Sequence, residues 1–281
     1  MIHMNYSTLT KEKSSFLGVG VAWVDQKEYI NFIENELDPC QSYIEVHLPT
    51  SIKNIPKQFI KIAHCSTLPL ADIHQPSRTL IEDVFQQAQA IDAQWIGEHL
   101  SILGTTSGVQ FGYIFAPPHE KGLQERIVKR IQQYREEFGI PFVIELGPRY
   151  TAWGGKDVIE DYRLLRNISV EANVPIILDI PHTVATANAF NISYEEILDY
   201  LDGAKVCEIH IGADGVSKKR NVPFEERWQQ LVTCVKRFSG IRGITVELGK
   251  NTQLVDYCNT VRNVMERLPE LNLYLKEATH D

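Results

Sequence analysis

Thiols are scarce and scattered in this sequence. The five cysteines, Cys40, Cys65, Cys207, Cys234 and Cys258, are an odd number with no CxxC pair among them. That spacing excludes a disulfide framework and a thiolate zinc site, and predicts buried free thiols. No apolar run approaches the roughly 20 residues that span a bilayer. Met1 to Ser15 is polar and lysine-bearing with no apolar signal core, so a cytoplasmic protein without membrane association is expected. Net positive charge is missing too. With 28 Lys+Arg against 36 Asp+Glu the chain carries −8, which opposes general affinity for nucleic acid but leaves room for a local basic groove. Linkers, low-complexity segments and short-period repeats are also absent.

What the 281 residues do contain is alternation, with 43% hydrophobic residues to build a core. Short apolar runs predict strands over 16–23 (FLGVGVAW), 42–48 (SYIEVHL), 58–65 (QFIKIAHC) and 94–100 (QWIGEHL). Further strands are predicted over 141–146 (PFVIEL), from Pro175 to Asp179, over 205–211 (KVCEIHI) and over 243–248 (GITVEL). Between them the periodicity predicts helices over 26–36, 79–91, 121–138, 158–172, 193–200, 224–238 and 254–268. Gly139 supplies a stop signal, and Ser193 with Glu196 three residues on forms a capping-box pattern. Gly108 to Ala116 reads as a short hairpin or an excursion. Eight strands alternating with helices predict the α/β class and a single (β/α)8 TIM barrel over 1–281. Residues 1–15 would be a polar extension and 269–281 a tail. A doubly wound open sheet has little support, because GVGVAW in the first strand lacks a GxGxxG phosphate turn.

A barrel gathers its chemistry at the C-terminal ends of its strands. Those ends carry His64, His99, Glu145, Asp179, His210 and Glu247, and His182 would lie on the loop just beyond Pro181. Taken singly, each has an ordinary explanation: a hydrogen-bonded core histidine, a glutamate paired to arginine, an aspartate capping the next helix. Six consecutive strand ends of this kind argue for a shared cation, because unpaired charges converging on one mouth repel and are costly to desolvate. Four histidines and three carboxylates suit zinc, iron, manganese or cobalt better than magnesium or calcium. Seven ligands exceed the needs of one ion with open positions. Two ions bridged by Glu145 fit better, with His64 and His99 on one and Asp179, His210 and Glu247 on the other. His182 would support either, or a third.

Alternation along the strands adds further candidates. Glu208 shares parity with His210 and should point inward. Glu45 and His47 share parity, and either orient a ligand histidine, contact substrate or form a polar layer inside the barrel. Glu98 should pair outward. Arg149 and Tyr150 follow the fifth strand and would clamp a substrate carboxylate or make a loop contact. Lys218-Lys219-Arg220 would greet an acidic peptide or form a solvated face.

The pieces GVGVAW, YIEVHL, IAHC, GEHLSI, FAPP, VIELGPRY, LDIPHTVATAN, EIHIGAD and TVEL run in order from about Phe16 to Glu247. In that order they resemble the multinuclear non-heme iron-dependent oxidases, the family that includes the methanobactin-biosynthesis oxidase. GEHL and LDxxH…AN are the most specific. The resemblance implies iron, molecular oxygen and oxidative remodelling of a ribosomally made precursor peptide, often at cysteine. It also implies a small partner protein that presents the peptide. By position it implies His64, His99, Glu145, Asp179, His182, His210 and Glu247 as metal ligands. Arg149, Tyr150, Glu45, His47 and Asn188 then become substrate-binding candidates, and Glu208 and Asp214 catalytic ones. There are two departures. Glu145-Leu146 stands where the family has Glu-Asn, and its Asp-x-His is not evident in Ser217 to Phe224. Those residues help hold a third ion, so two firmly bound irons are implied, with Asp214 a partial substitute toward a third. The same ligand order resembles the wider xylose-isomerase-like barrels. That keeps three alternatives in view. One is a sugar isomerase or epimerase using zinc or manganese, with Glu145 and Glu247 shuttling protons. The others are an abasic-site nuclease, disfavoured by net acidity, and a peptide-binding barrel that has lost turnover.

Overall fold

The computed structural model describes residues 16–104, 110–150, 158–213, 222–249 and 252–277. The chain begins with strand β1 (Val19–Ala22), helix α1 (Lys27–Glu36), β2 (Ser42–Leu48) and β3 (Ile60–Cys65). It continues through α2 (Arg78–Ala90), β4 (Ile96–His99), an antiparallel pair β5 (Ile102–Gly104) and β6 (Gln110–Phe115), and α3 (Leu123–Phe138). Then come β7 (Phe142–Glu145), α4 (Val158–Ala172), β8 (Ile176–Asp179), α5 (Ile180–Phe190) and α6 (Tyr194–Asp199). The last elements are β9 (Val206–Gly212), α7 (Phe224–Arg237), β10 (Gly243–Glu247) and α8 (Leu254–Glu277). Eight parallel strands close a barrel in the order β1-β10-β9-β8-β7-β4-β3-β2, so the expected (β/α)8 architecture is the one formed. No helix among the described residues is long and apolar enough to cross a membrane.

The outward-facing residues, such as Ile44, Val46, Ile96, Ile144, Ile176 and Leu178, join the helices in one buried cluster. The inward-facing residues form two layers. At the N-terminal end of the strands Leu17, Tyr43, Ile62, Trp95, Val143, Ile177 and Cys207 make a separate apolar floor. Two residues further along, the same strands present Glu45, His64, Gly97, Glu145 and Asp179. The period of two that buries the floor therefore also aims the polar layer at the barrel axis.

Strand β9 departs from this rule. The β8–β9 register shifts between Ile176↔Val206 and Ile177↔Glu208, so Cys207 and Glu208 both face inward. After this bulge His210 pairs with Asp179, and Ile209 and Ile211 lie in the outer cluster.

Other boundaries also move. Strand β1 is shorter than expected because Gly18 has φ 104°, and a Cβ there would lie 1.8 Å from the Gln41 carbonyl oxygen. Residues 180–190, unforeseen as a helix, form α5. Pro181 lies in its first turn, where a missing amide proton does no harm, so it starts the helix rather than only ending the strand. The final helix continues past Leu268 through Pro269 to Glu277, because Leu268 and Leu271 on either side are both buried. Cys40 is exposed in a turn, with its amide donating to Asp38, while the other four thiols are buried as expected. The predicted Ser193 cap forms and accepts from the Glu196 amide.

Two glycines make room for the floor. A Cβ on Gly20 would meet Tyr43 ring carbons at 2.4 Å, and one on Gly243 would meet the Tyr43 hydroxyl at 2.3 Å. That ring cannot retreat, since its hydroxyl is 2.7 Å from Thr245 Oγ1. We expect Gly20→Ala to lower stability by about 1–3 kcal/mol in urea unfolding, the usual cost of overpacking. An unchanged midpoint would show that the floor is looser than described.

Candidate metal centre

All seven strand-end candidates converge. His99 pairs in register with Glu145, Asp179 with His210, and Gly212 with Glu247, which stacks the ligand-bearing residues around one rim. Glu145 is fully buried at the middle. Its Oε2 is 3.0 Å from His64 Nε2, and its Oε1 is 3.3 Å from His99 Nε2 and 2.8 Å from His182 Nδ1. Asp179 is a second hub, 3.8 Å from His210 Nδ1 through Oδ2 and 3.7 Å from His182 Nδ1 through Oδ1. Glu247 Oε1 approaches His210 Nδ1 at 3.1 Å.

His182 lies in the first turn of α5 rather than on a loop. Asp179 caps that helix, its Oδ1 accepting the His182 amide proton. The ordinary capping role and the cluster role thus coexist in one side chain, since Oδ2 faces His210. The cap also fixes where the helix starts, and so where the His182 ring points.

Four donor sets each have their ligand atoms within 4.8 Å of one another: His64–His99–Glu145, Glu145–Asp179–His182, Asp179–His210–Glu247 and Glu45–His64–His210. Both Glu145 oxygens, Asp179 Oδ2, His64 Nε2, His182 Nδ1 and His210 Nε2 are buried without a hydrogen-bond partner among the described residues. Buried polar atoms are almost always satisfied, so six orphans in one place call for a partner of another kind. Imidazole nitrogens and carboxylate oxygens that present lone pairs to a common point suit a first-row transition metal or zinc.

The charges are arranged accordingly. Burial would raise Glu145, yet the His99, His182 and His64 rings hold it well below the usual carboxylate range. Burial would also raise Glu247, and His210 beside it brings it down to about 2. Burial pushes Asp179 up to about 7; His182 opposes the rise, and the Glu247 and Glu145 charges add to it. Burial would lower His99, but Glu145 carries it up to about 9. Without a cation, protons on the imidazoles balance the carboxylates.

The remaining candidates divide. Glu45 is fully buried beneath the rim, within reach of His64, His210 and His47. His47 is half exposed and stacks on His64 with ring centroids 5.0 Å apart. Glu208 points inward as expected, but it is held by Trp95 Nε1, Tyr43 Oη and Thr245 Oγ1 at the floor. Both of its oxygens are thus engaged by donors, and Oε1 also lies 3.3 Å from His210 Nε2. Glu98 faces outward, accepting the Leu68 and His99 amides. Arg149 is buried and paired to Asp161, with a further bond to the Pro117 carbonyl. It therefore ties α4 to the loop before α3, a loop contact of the kind that stood as one of its two expected roles. Asp161, which also accepts from His119 at 2.6 Å, carried no sequence signal, because nothing in an amphipathic helix marks which acid meets an arginine. Tyr150 is exposed at the rim. Asn188 lies on the exposed side of α5, six residues beyond His182, while its neighbour Ala187 is the buried member of the AN pair. Asp214, Lys218-Lys219-Arg220 and the extension over 1–15 lie outside the described residues.

A closed parallel barrel with this buried histidine–carboxylate rim defines a TIM barrel with a candidate metal centre at the C-terminal ends of its strands. Its structure is similar to D-psicose 3-epimerase solved with D-fructose (TM-score 0.55, 17% identity, 89% of this chain and 98% of that one). It is likewise similar to the E. coli 3-keto-D-glucoside 4-epimerase YcjR (0.54, 15%, 88% and 99%) and to endonuclease IV from Thermus thermophilus (0.54, 15%, 90% and 99%). Likeness at such low identity shows the fold alone. The family is shown by sequence: the chain belongs to the RiPP precursor modification enzymes MbnB/TglH/ChrH, whose profile matches residues 21–252. No curated protein matches it.

Two outcomes test this geometry. His99 stands at about 9 when folded, above its ordinary 6.5, so its stabilising contribution is complete below about pH 6.5 and is lost as pH rises through about 9. The metal-free protein should therefore melt at falling temperatures across that window, while the metal-loaded protein should not follow it. Separately, Glu145→Gln should lower metal content per chain in elemental analysis. Full retention would remove Glu145 from the centre.

Proposed function

We propose that this chain is a multinuclear, principally di-iron, non-heme iron-dependent oxidase or oxygenase. In this reading it modifies a ribosomally made precursor peptide with O2, at a cysteine, and a small partner protein presents the peptide. Family membership supports the peptide. The observation that carries the metal part is Glu145, with two buried oxygens that make no hydrogen bond and three histidine rings around it.

His64, His99 and Glu145 would hold one iron, and Asp179, His210 and Glu247 the other. The set Glu145–Asp179–His182 takes both of its carboxylates from its neighbours, which favours two ions over three. Bound iron supplies a redox couple able to activate O2. The chain's own residues do the rest. The floor of Tyr43, Trp95, Val143 and Ile177 keeps water from the underside of the cluster. His64, His99, Glu145, Asp179 and His210 are at most 6% exposed, whereas His182 is 18%, Glu247 23% and His47 50% exposed. The peptide side chain would reach the centre from the side these three residues line.

The test is preparation without oxygen, elemental analysis, and an oxygen electrode with cysteine-bearing precursor peptides. We expect about two irons per chain and peptide-dependent oxygen consumption. Glu145→Ala should reduce that rate by more than the roughly 10–100-fold that loss of an outer-shell partner costs. Zinc alone under every preparation would defeat the iron reading. Turnover of ketoses with manganese, and none of peptide, would replace it with the isomerase alternative.

A further inference from the structure

Glu98 is buried on the outer face of β4, and among the described ion pairs no lysine or arginine is matched to it. A carboxylate placed there without a cation is costly to desolvate. Its neighbours on that face are apolar: Ile96 on the same strand and Ile144 in register on β7. What an apolar residue could not do in its place is accept hydrogen bonds. Glu98 Oε1 accepts the His99 amide at 2.7 Å, and Oε2 accepts the Leu68 amide at 2.9 Å. Leu68 is buried in the loop after β3, outside the strand ladder, where an amide must find an acceptor.

These two amides serve the two histidines of one donor set. His99 belongs to His64–His99–Glu145, and the loop that holds Leu68 leaves the strand that carries His64. Cys65, the residue after His64, is the in-register partner of Glu98, and its carbonyl lies 3.4 Å from the His99 ring. The His64 and His99 rings stack with centroids 5.0 Å apart. Beyond Leu68 the loop follows the continuation of β4. The Leu70 amide donates to the His99 carbonyl at 3.2 Å and the Ala71 amide to the Ser101 carbonyl at 3.1 Å. Arg130 of α3 holds the Pro69 and Leu70 carbonyls from outside. His99 is thus gripped at its amide by Glu98 and at its carbonyl by Leu70.

We propose that Glu98 is a positioning residue that sets the spacing of His64 and His99, by clamping the loop after β3 to the end of β4 from outside the barrel. This rests on the metal-centre reading above and deepens it. Glu98 stands on the face of β4 opposite to the His99 ring, so it serves the metal position without being a ligand. Asp179, His210 and Glu247 stand on β8, β9 and β10 and make no hydrogen bond or ion pair with Glu98 among the described residues. The clamp therefore acts on one metal position and leaves the other alone.

The probe is zinc(II), titrated into the full chain against a chromophoric chelator, with His99→Gln and His210→Gln marking the two positions. Glu98→Gln keeps the shape but sets an amide donor against one of the two backbone donors. We expect it to weaken zinc about 10–100-fold at the His99 position and to leave the His210 position unchanged. In double-mutant cycles Glu98→Gln should be non-additive with His99→Gln and additive with His210→Gln. Glu98→Asp keeps the charge but falls a methylene short of the two amides, so it should weaken the His99 position alone. Circular dichroism of the metal-free chain reads folding, and Glu98→Asp decides the matter if Glu98→Gln does not fold. A role in stability or net charge alone would move both positions together. Equal weakening at both, or Glu98→Asp indistinguishable from wild type, overturns this inference. So do unchanged zinc affinities in Glu98→Gln, and each of these leaves the iron reading standing. A wild-type chain that binds no zinc and no iron overturns both.

Discussion

Buried negative charge without a matching fixed positive charge is the constraint on which this molecule depends. Glu145, Asp179 and Glu247 share one barrel mouth, and no lysine or arginine is paired with any of them among the described ion pairs. Such carboxylates are tolerated only if protons on the neighbouring imidazoles, or a cation, balance them. The rest of the fold serves that requirement. The closed barrel supplies eight strand ends at one rim, the floor excludes water from beneath, and the caps and bulges set where each ring points.

Much of this was legible in the sequence, for a definite reason. Strand parity is rigid, so once a run such as FVIEL is read as a buried strand, the face of Glu145 follows. The same rule carried His64, His99 and Asp179, and it identified Glu45 and Glu208 as inward-facing. It did not say whether an inward acid was a ligand, a support or a base, because that depends on donors from distant strands. Glu208 shows the difficulty: Trp95, Tyr43 and Thr245, which occupy it, come from three other parts of the chain.

Loops and helix starts were harder to read. Pro181 reads as the end of a strand, but it also begins a helix, so His182 stands in a helical turn and not on a loop. Arg149 follows a strand, where it reads equally as a clamp for an anion or a loop contact, and Asp161 on the next helix takes its charge. Asn188 belongs to a motif, and a motif does not state which of its members faces solvent. These cases share a cause: local spacing reports the period of an element but not which partner a long side chain finds across it.

The irregularity in β9 has a wider bearing. One supernumerary residue near Cys207 puts His210 in the mouth and leaves Ile209 and Ile211 against the helices. Were the same residues to alternate strictly from Val206 onward, His210 would turn toward the helices and isoleucine would stand where Asp179 and Glu247 look for a partner. Loss of Cys207 itself would leave Asp179 opposite His210, because the pairs on either side of the bulge would then follow one another directly. The rim is thus indifferent to the extra residue's removal but not to its being absorbed into the ladder.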